Sequence, residues 1–142
     1  MVHDVVSRNN YKEWLVSTVY VSSNRIFHKH LFDNLLAVAS SGDFSWLIAG
    51  NFNDYMDSSE RVSLNDTTNS SSNRCIAIFL DYVDRCNLVD LGANGPRLTW
   101  SNGRDGMAMT FVRLDIAIAS PDWRLLFPKT SVTAYCLLIQ KV

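Results

Sequence analysis

Apolar and polar positions along this chain fall into blocks whose period changes several times. Residues 14–20 (Trp-Leu-Val-Ser-Thr-Val-Tyr) are rich in β-branched and aromatic side chains and predict a strand. Ser22, Ser23 and Asn24 then offer capping oxygens to a helix in which Phe27, Leu31, Leu35 and Val38 recur as one buried stripe. Ser40-Ser41-Gly42-Asp43 ends that helix, and the apolar run 46–50 suits a buried strand. Ser, Asn, Thr and Asp dominate residues 57–74, which read as a long polar surface loop. Ser72 can cap the next helix, where Ile76, Phe79, Leu80 and Val83 stand at i, i+3, i+4 and i+7.

The later half reads as more β-rich. Residues 88–91 predict a short strand, and Asn94-Gly95-Pro96 a turn. Residues 98–100 and 107–119 flank Asn102-Gly103, a hairpin signal. In the longer run Val112, Leu114, Ile116 and Ile118 alternate with Phe111, Arg113 and Asp115, which places the last three on the non-core face. Ser120-Pro121-Asp122 opens a helix in the order cap, proline, carboxylate, with Trp123, Leu126 and Phe127 on its apolar side. Residues 132–139 predict a last strand. Strands separated by helices, with a hairpin among them, indicate a mixed α/β (α+β) layer architecture.

Composition adds boundaries to this picture. At 142 residues, 47% apolar and 19% charged, the chain has the size and make-up of one ordinary globular domain. No apolar run approaches the ~18–20 residues of a membrane span, and Met-Val-His-Asp is no secretory leader. An intracellular setting, nuclear or cytoplasmic, is therefore expected, and Asn65-Asp-Thr67 and Asn69-Ser-Ser71 read as chance matches to the glycosylation pattern. Cys75, Cys86 and Cys136 form no C-x-x-C pair, and the three histidines all lie within the first 30 residues, so a Cys/His zinc site is excluded. The last 47 residues carry 6 basic and 3 acidic side chains against 7 and 11 before them, too weak a tilt for a nucleic-acid signature.

Polar groups directly after a buried strand are held rigidly yet open to solvent, which makes two segments candidate sites. One is Gly50-Asn51-Phe52-Asn53 and the other is Arg113 with Asp115. Taken alone, the first also reads as a tight turn with Asn side chains on local backbone, and the second as a surface ion pair.

The ordered set of motifs carries further. Val19-Tyr20, Trp46-Leu-Ile-Ala-Gly-Asn-Phe-Asn53, Leu88-Val-Asp-Leu-Gly92, Gly95-Pro-Arg-Leu-Thr-Trp-Ser-Asn102, Arg113-Leu-Asp115 and Ala119-Ser120 resemble the endonuclease/exonuclease/phosphatase superfamily. More narrowly, they resemble the endonuclease domain of plant LINE-type (non-LTR) retrotransposons, from about Trp14 to about Phe127. The resemblance implies a two-sheet β-sandwich flanked by helices, with a Mg²⁺-dependent site for phosphodiester hydrolysis of nucleic acid at one rim. It assigns Asn53 and Tyr20 to the scissile phosphate, with Arg113 beside them on the substrate. Asp115 takes the place of the carboxylate that orients a catalytic histidine, and Asn51 stands where the family has aspartate in Gly-Asp-Phe-Asn.

Several departures follow from the same comparison. An amide at Asn51 cannot take a proton as a carboxylate does. Glu13 and Glu60, the two glutamates, match neither the position nor the context of the family's metal ligand, and no histidine follows His30. The sequence therefore predicts an N-terminal remnant over 1–13 and a partial domain over 14–142, truncated at both ends. It predicts poor Mg²⁺ binding, no surviving catalysis, and self-association through an exposed sheet edge. The competing readings are a non-catalytic phosphate-binding or interaction module and a functionless remnant reading frame.

Overall fold

The computed structural model describes residues 2–9, 12–65 and 70–134, with side chains from residue 13 onward. In chain order the elements are β1 (Val2–Asn9), β2 (Lys12–Tyr20), α1 (Arg25–Ser40), β3 (Ser45–Asn51), β4 (Arg61–Ser63), α2 (Ser70–Arg85) and β5 (Val89–Asp90). They continue with β6 (Trp100–Ser101), β7 (Thr110–Val112), β8 (Asp115–Ala119) and α3 (Pro121–Leu126). Strands β1-β2-β3-β8-β5 form one sheet and β4-β7-β6 a second. The chain is mixed α+β, as the sequence pattern implies, and its two sheets are flanked by helices, as the resemblance implies. Among the described residues no helix is long and apolar enough to cross a membrane.

The parallel pair β2–β3 requires a crossover, which α1 supplies. Alternation along the central strands sends Leu15 and Val19 of β2, Trp46 and Ile48 of β3, and Ile116 and Ile118 of β8 to one face. There they meet Leu31, Phe32 and Leu35 of α1 and Phe79 and Val83 of α2 in one core. Phe52, fully buried just past β3, stacks obliquely on Phe79 at 5.3 Å between ring centroids. Two polar contacts pin the sheet from within: Trp46 donates its indole N–H to Ser17 Oγ (2.9 Å) and its backbone N–H to Ser120 Oγ (2.9 Å). Ser120 caps α3 with Pro121 in its first turn, as the sequence predicts.

Several expectations are corrected. The buried stripe of α1 is His28, Leu31, Phe32 and Leu35; Phe27 is 53% exposed and Val38 only half-buried. Of the three capping residues expected, Asn24 is the cap, its side chain accepting from Ile26 N. Leu80 of α2 is likewise exposed. Residues 57–74 are not one loop, because a 3₁₀ turn at Ser58–Glu60, strand β4 and the first turn of α2 lie within them. Residues 2–9, expected as a remnant, pair antiparallel with residues 12–19 of β2.

The run 107–119 is not one strand. It breaks at Arg113-Leu114 and changes sheet, β7 pairing with β4 and β6 and β8 with β3 and β5. The Asn102-Gly103 hairpin closes through a longer loop, 102–109, with a 3₁₀ turn at Gly106–Ala108. Of the predicted last strand, Thr133 bridges Asn94, and residues 135–139 lie outside the described residues.

Candidate functional site at the sheet rim

The register of three neighbouring strands builds the site. Tyr20, the last residue of β2, is the lateral partner of Asn51, the last residue of β3, and Asn51 is in turn the partner of Asp115 at the start of β8. Lateral partners point to the same face, so Tyr20, Asn51 and Asp115 form one polar row at one edge of the sheet. Tyr20 is 69% exposed and Asp115 is exposed, whereas Val19 and Ile116, the adjacent residues of β2 and β8 that face the other way, are core.

Gly50 makes this geometry possible. Its φ is +146°, and a Cβ there would stand 2.0 Å from the Val19 carbonyl oxygen, so only glycine fits between β2 and β3. Asn53 follows at φ +48°, a left-handed conformation that asparagine tolerates. Its backbone N–H donates to Asn51 Oδ1 (2.9 Å), and its side-chain amide donates to the Val21 carbonyl. The amide nitrogen carries two donors, and Val21 takes one. The tight-turn reading of this segment thus holds for its local bonds, and the turn presents Asn53 beside the row.

Asn53 and Tyr20 line a cleft of about 720 Å³ together with Tyr55, Arg61 and Trp100. Tyr55, Arg61 and Trp100 escaped the sequence reading. The signal available was the alternation Asn53-Asp54-Tyr55, which turns the first and third side chains to the cleft and Asp54 to the helical side. Thr99 fixes the β7–β8 break, its Oγ1 accepting from Leu114 N (3.1 Å) and Asp115 N (3.2 Å).

Arg113 does not join the row. Expected on the non-core face, it is only 6% exposed and its guanidinium is shared by two carboxylates. It reaches Glu60 Oε1 at 2.7 Å and Asp90 bidentately at 2.7 and 2.8 Å. Glu60 Oε2 accepts from Met56 N (2.8 Å), and Glu60 O accepts from Arg113 N (2.9 Å). Bonds to Asp90 push the Arg113 pKa further above its ordinary value; burial opposes this, and Glu60 adds to the rise. Burial pushes Asp90 up, but the Arg113 bonds, the Gly92 N–H and the Arg113 charge together hold it below the usual carboxylate range. The cluster ties the approach to β4 to β5 of the other sheet, so Arg113 acts as a structural clamp and both Glu60 carboxylate oxygens are engaged within the protein.

Hard Mg²⁺ takes oxygen ligands, commonly one or two carboxylates completed by water and phosphate. The rim row offers one carboxylate, Asp115, beside three neutral side chains, and among the described residues no cluster of three His, Cys, Asp or Glu could hold a metal. These residues do not by themselves make a resident Mg²⁺ site.

A two-layer α+β frame with polar residues gathered at one rim has an endonuclease-like fold. The solved endonuclease domain of TRAS1, a telomere-specific non-LTR retrotransposon, matches it with a TM-score of 0.57 at 15% identity over 85% of this chain. The chain spans about half of that structure, 51% of its length. No family model and no curated protein matches the sequence.

Proposed function

We propose that this chain is the middle-to-late part of an endonuclease/exonuclease/phosphatase-type domain of plant LINE-type retrotransposon origin. In this reading its residues keep a phosphate-binding rim without the means of hydrolysis. The observation that carries it is the lateral row Tyr20–Asn51–Asp115 with Asn53 bonded to its middle member. Tyr20 hydroxyl and the second Asn53 N–H are donors suited to a phosphodiester oxygen, and Arg61 in the same cleft adds positive charge. Hydrolysis also needs a group that takes a proton from water and charge to stabilise the pentavalent transition state. Asn51 cannot be that base, and among the described residues the rim row holds no histidine for Asp115 to orient.

The ancestral reaction is metal-dependent phosphodiester hydrolysis, and the present chain binds the same backbone. Purified protein should leave supercoiled plasmid intact in Mg²⁺ and in Mn²⁺ at any excess, while retaining single- or double-stranded DNA with an affinity that falls steeply as salt rises. Nicking that disappears in Asn53→Ala would return the chain to the hydrolases, and absence of DNA binding at low salt would remove the binding role.

A further inference from the structure

The chain reaches the rim cleft twice, through Ser22 and Ser23 between β2 and α1 and through Asn53 and Tyr55 after β3. Two bonds join these walls near the sheet: Val21 N donates to the Asn51 carbonyl (3.1 Å), and the Asn53 amide donates to the Val21 carbonyl. Farther from the sheet His28, a buried side chain of α1, stands between them. Its Nε2 lies 2.9 Å from the Ser22 carbonyl oxygen. Its Nδ1 lies 3.4 Å from Oδ2 of the buried Asp54, the residue between Asn53 and Tyr55.

Both oxygens are acceptors. A neutral imidazole carries one N–H, so in either tautomer it serves Ser22 or Asp54 and turns a nitrogen lone pair to the other; an imidazolium carries two and serves both. The 3.4 Å separation is an ion-pair distance across which Nδ1 makes no hydrogen bond, whereas charge-assisted N–H···O bonds close to about 2.7–2.9 Å. The carboxylate is already held for the ring, because Oδ2 accepts from Arg25 (2.6 Å) and Oδ1 from Tyr55 N (3.1 Å). The other titratable groups on this side are Lys29 of α1, paired with Asp33 at 2.6 Å, and Arg74, Cys75, Asp81, Tyr82 and Arg85 of α2. Among the described residues none of these bonds to His28.

We propose that His28 and Asp54 are positioning residues for the rim, and that a second proton on the His28 ring tightens the rim's hold on a phosphate backbone. The inference rests on the reading of the rim as a phosphate-binding site. With both N–H groups present the ring braces the Ser22 wall against the Asn53–Tyr55 wall and so fixes the Asn53 donor; with one N–H, one of the two ties is missing. Affinity for DNA therefore rises as pH falls through the range in which imidazoles charge, about pH 8 to 5. By linkage, DNA bound at the rim favours the doubly protonated ring by the same factor.

Fluorescence anisotropy of a labelled DNA duplex, titrated with the whole chain at constant ionic strength across that pH range, tests this. The gain in wild-type affinity from the alkaline to the acidic end should exceed that of His28→Gln, whose amide donates to Ser22 but does not titrate, by about threefold or more. Asp54→Asn separates the brace from a plain effect of charge. Its amide can donate to a neutral Nδ1, so affinity should stay near the acidic wild-type level at every pH. Circular dichroism shows whether both variants fold, and NMR of the assigned imidazole C–H resonances gives a readout that needs no variant. Adding the duplex to wild type should move the His28 titration to higher pH by the same factor in proton affinity. Equal pH profiles for wild type and His28→Gln, a wild-type profile in Asp54→Asn, or a His28 titration unmoved by DNA would overturn the inference, while DNA binding itself would leave the rim reading standing. Absence of DNA binding at every pH would remove the rim reading and this inference with it.

Discussion

Arg113 and Asp115 stand two residues apart in one segment and meet opposite fates. Arg113 turns inward at the point where the chain leaves one sheet for the other, and both neighbouring carboxylates are committed to it. Asp115 begins the next strand, exposed, in a row with Asn51 and Tyr20. A buried charge must be matched almost completely or the fold fails, so residues around Arg113 are constrained by stability. An exposed row carries no such demand. Polar residues gathered there add little to folding, so stability alone does not account for the rim.

The comparison is broken most strongly at Arg113. Substituting methionine keeps the length of the side chain but leaves the buried Glu60, and the more exposed Asp90, without their partner. Removing one partner of a buried pair costs ~3–5 kcal/mol, which corresponds to a fall in Tm of roughly 10 °C or more for a domain of this size. Thermal unfolding followed by circular dichroism measures it. Adding Glu60→Gln and Asp90→Asn to Arg113→Met should recover much of the loss, because the orphaned charges are then gone. A Tm for Arg113→Met within a degree or two of wild type would mean that the cluster is solvated in solution and is no clamp.

These two fates were only partly legible in the sequence. Strand 14–20, the start of α2's apolar repeat and the Ser120-Pro121 helix start are local signals, and local signals set those elements. Asn51 and Asp115 were reachable as polar residues beside predicted strands, whereas Tyr20 was reached only through the resemblance; the register that aligns all three is a long-range property. Arg113 was misplaced because strict alternation assumes one unbroken strand. The break at Arg113-Leu114 depends on Thr99 and Glu60, 14 and 53 positions earlier, which no window on the segment contains. The polar composition of 57–74 hid Glu60 for the same reason: its burial is decided by a partner far along the chain.

A smaller effect separates the two regions by pH. Asp90 has a pKa held below its unfolded value near 3.9, so the stability it contributes is fully present above about pH 4 and is lost as pH falls through the folded value. Urea unfolding midpoints of wild type and Asp90→Asn should therefore differ at pH 6–7 and converge as the solution is acidified below about pH 4. A gap between the two proteins that stays constant down to pH 3 would show that the Asp90 charge is not what Arg113 holds. Asp115→Asn, by contrast, should produce a small difference across that range.

The smallest predicted effect lies inside the row. Asn51→Asp keeps an oxygen for the Asn53 N–H, so the turn survives. It also sets two carboxylates directly opposite each other, because Asn51 is the lateral partner of Asp115. Like charges at that position on an antiparallel pair cost roughly 0.2–1 kcal/mol. Asn51→Asp should thus be slightly less stable than wild type at neutral pH and should gain no nicking activity, since a second carboxylate supplies no histidine. Asp115→Asn introduced into Asn51→Asp should cancel the penalty, giving a coupling energy of the same size in a double-mutant cycle measured by urea unfolding. Strictly additive changes would show that the two side chains do not share a face, and with that the shared rim itself would be lost.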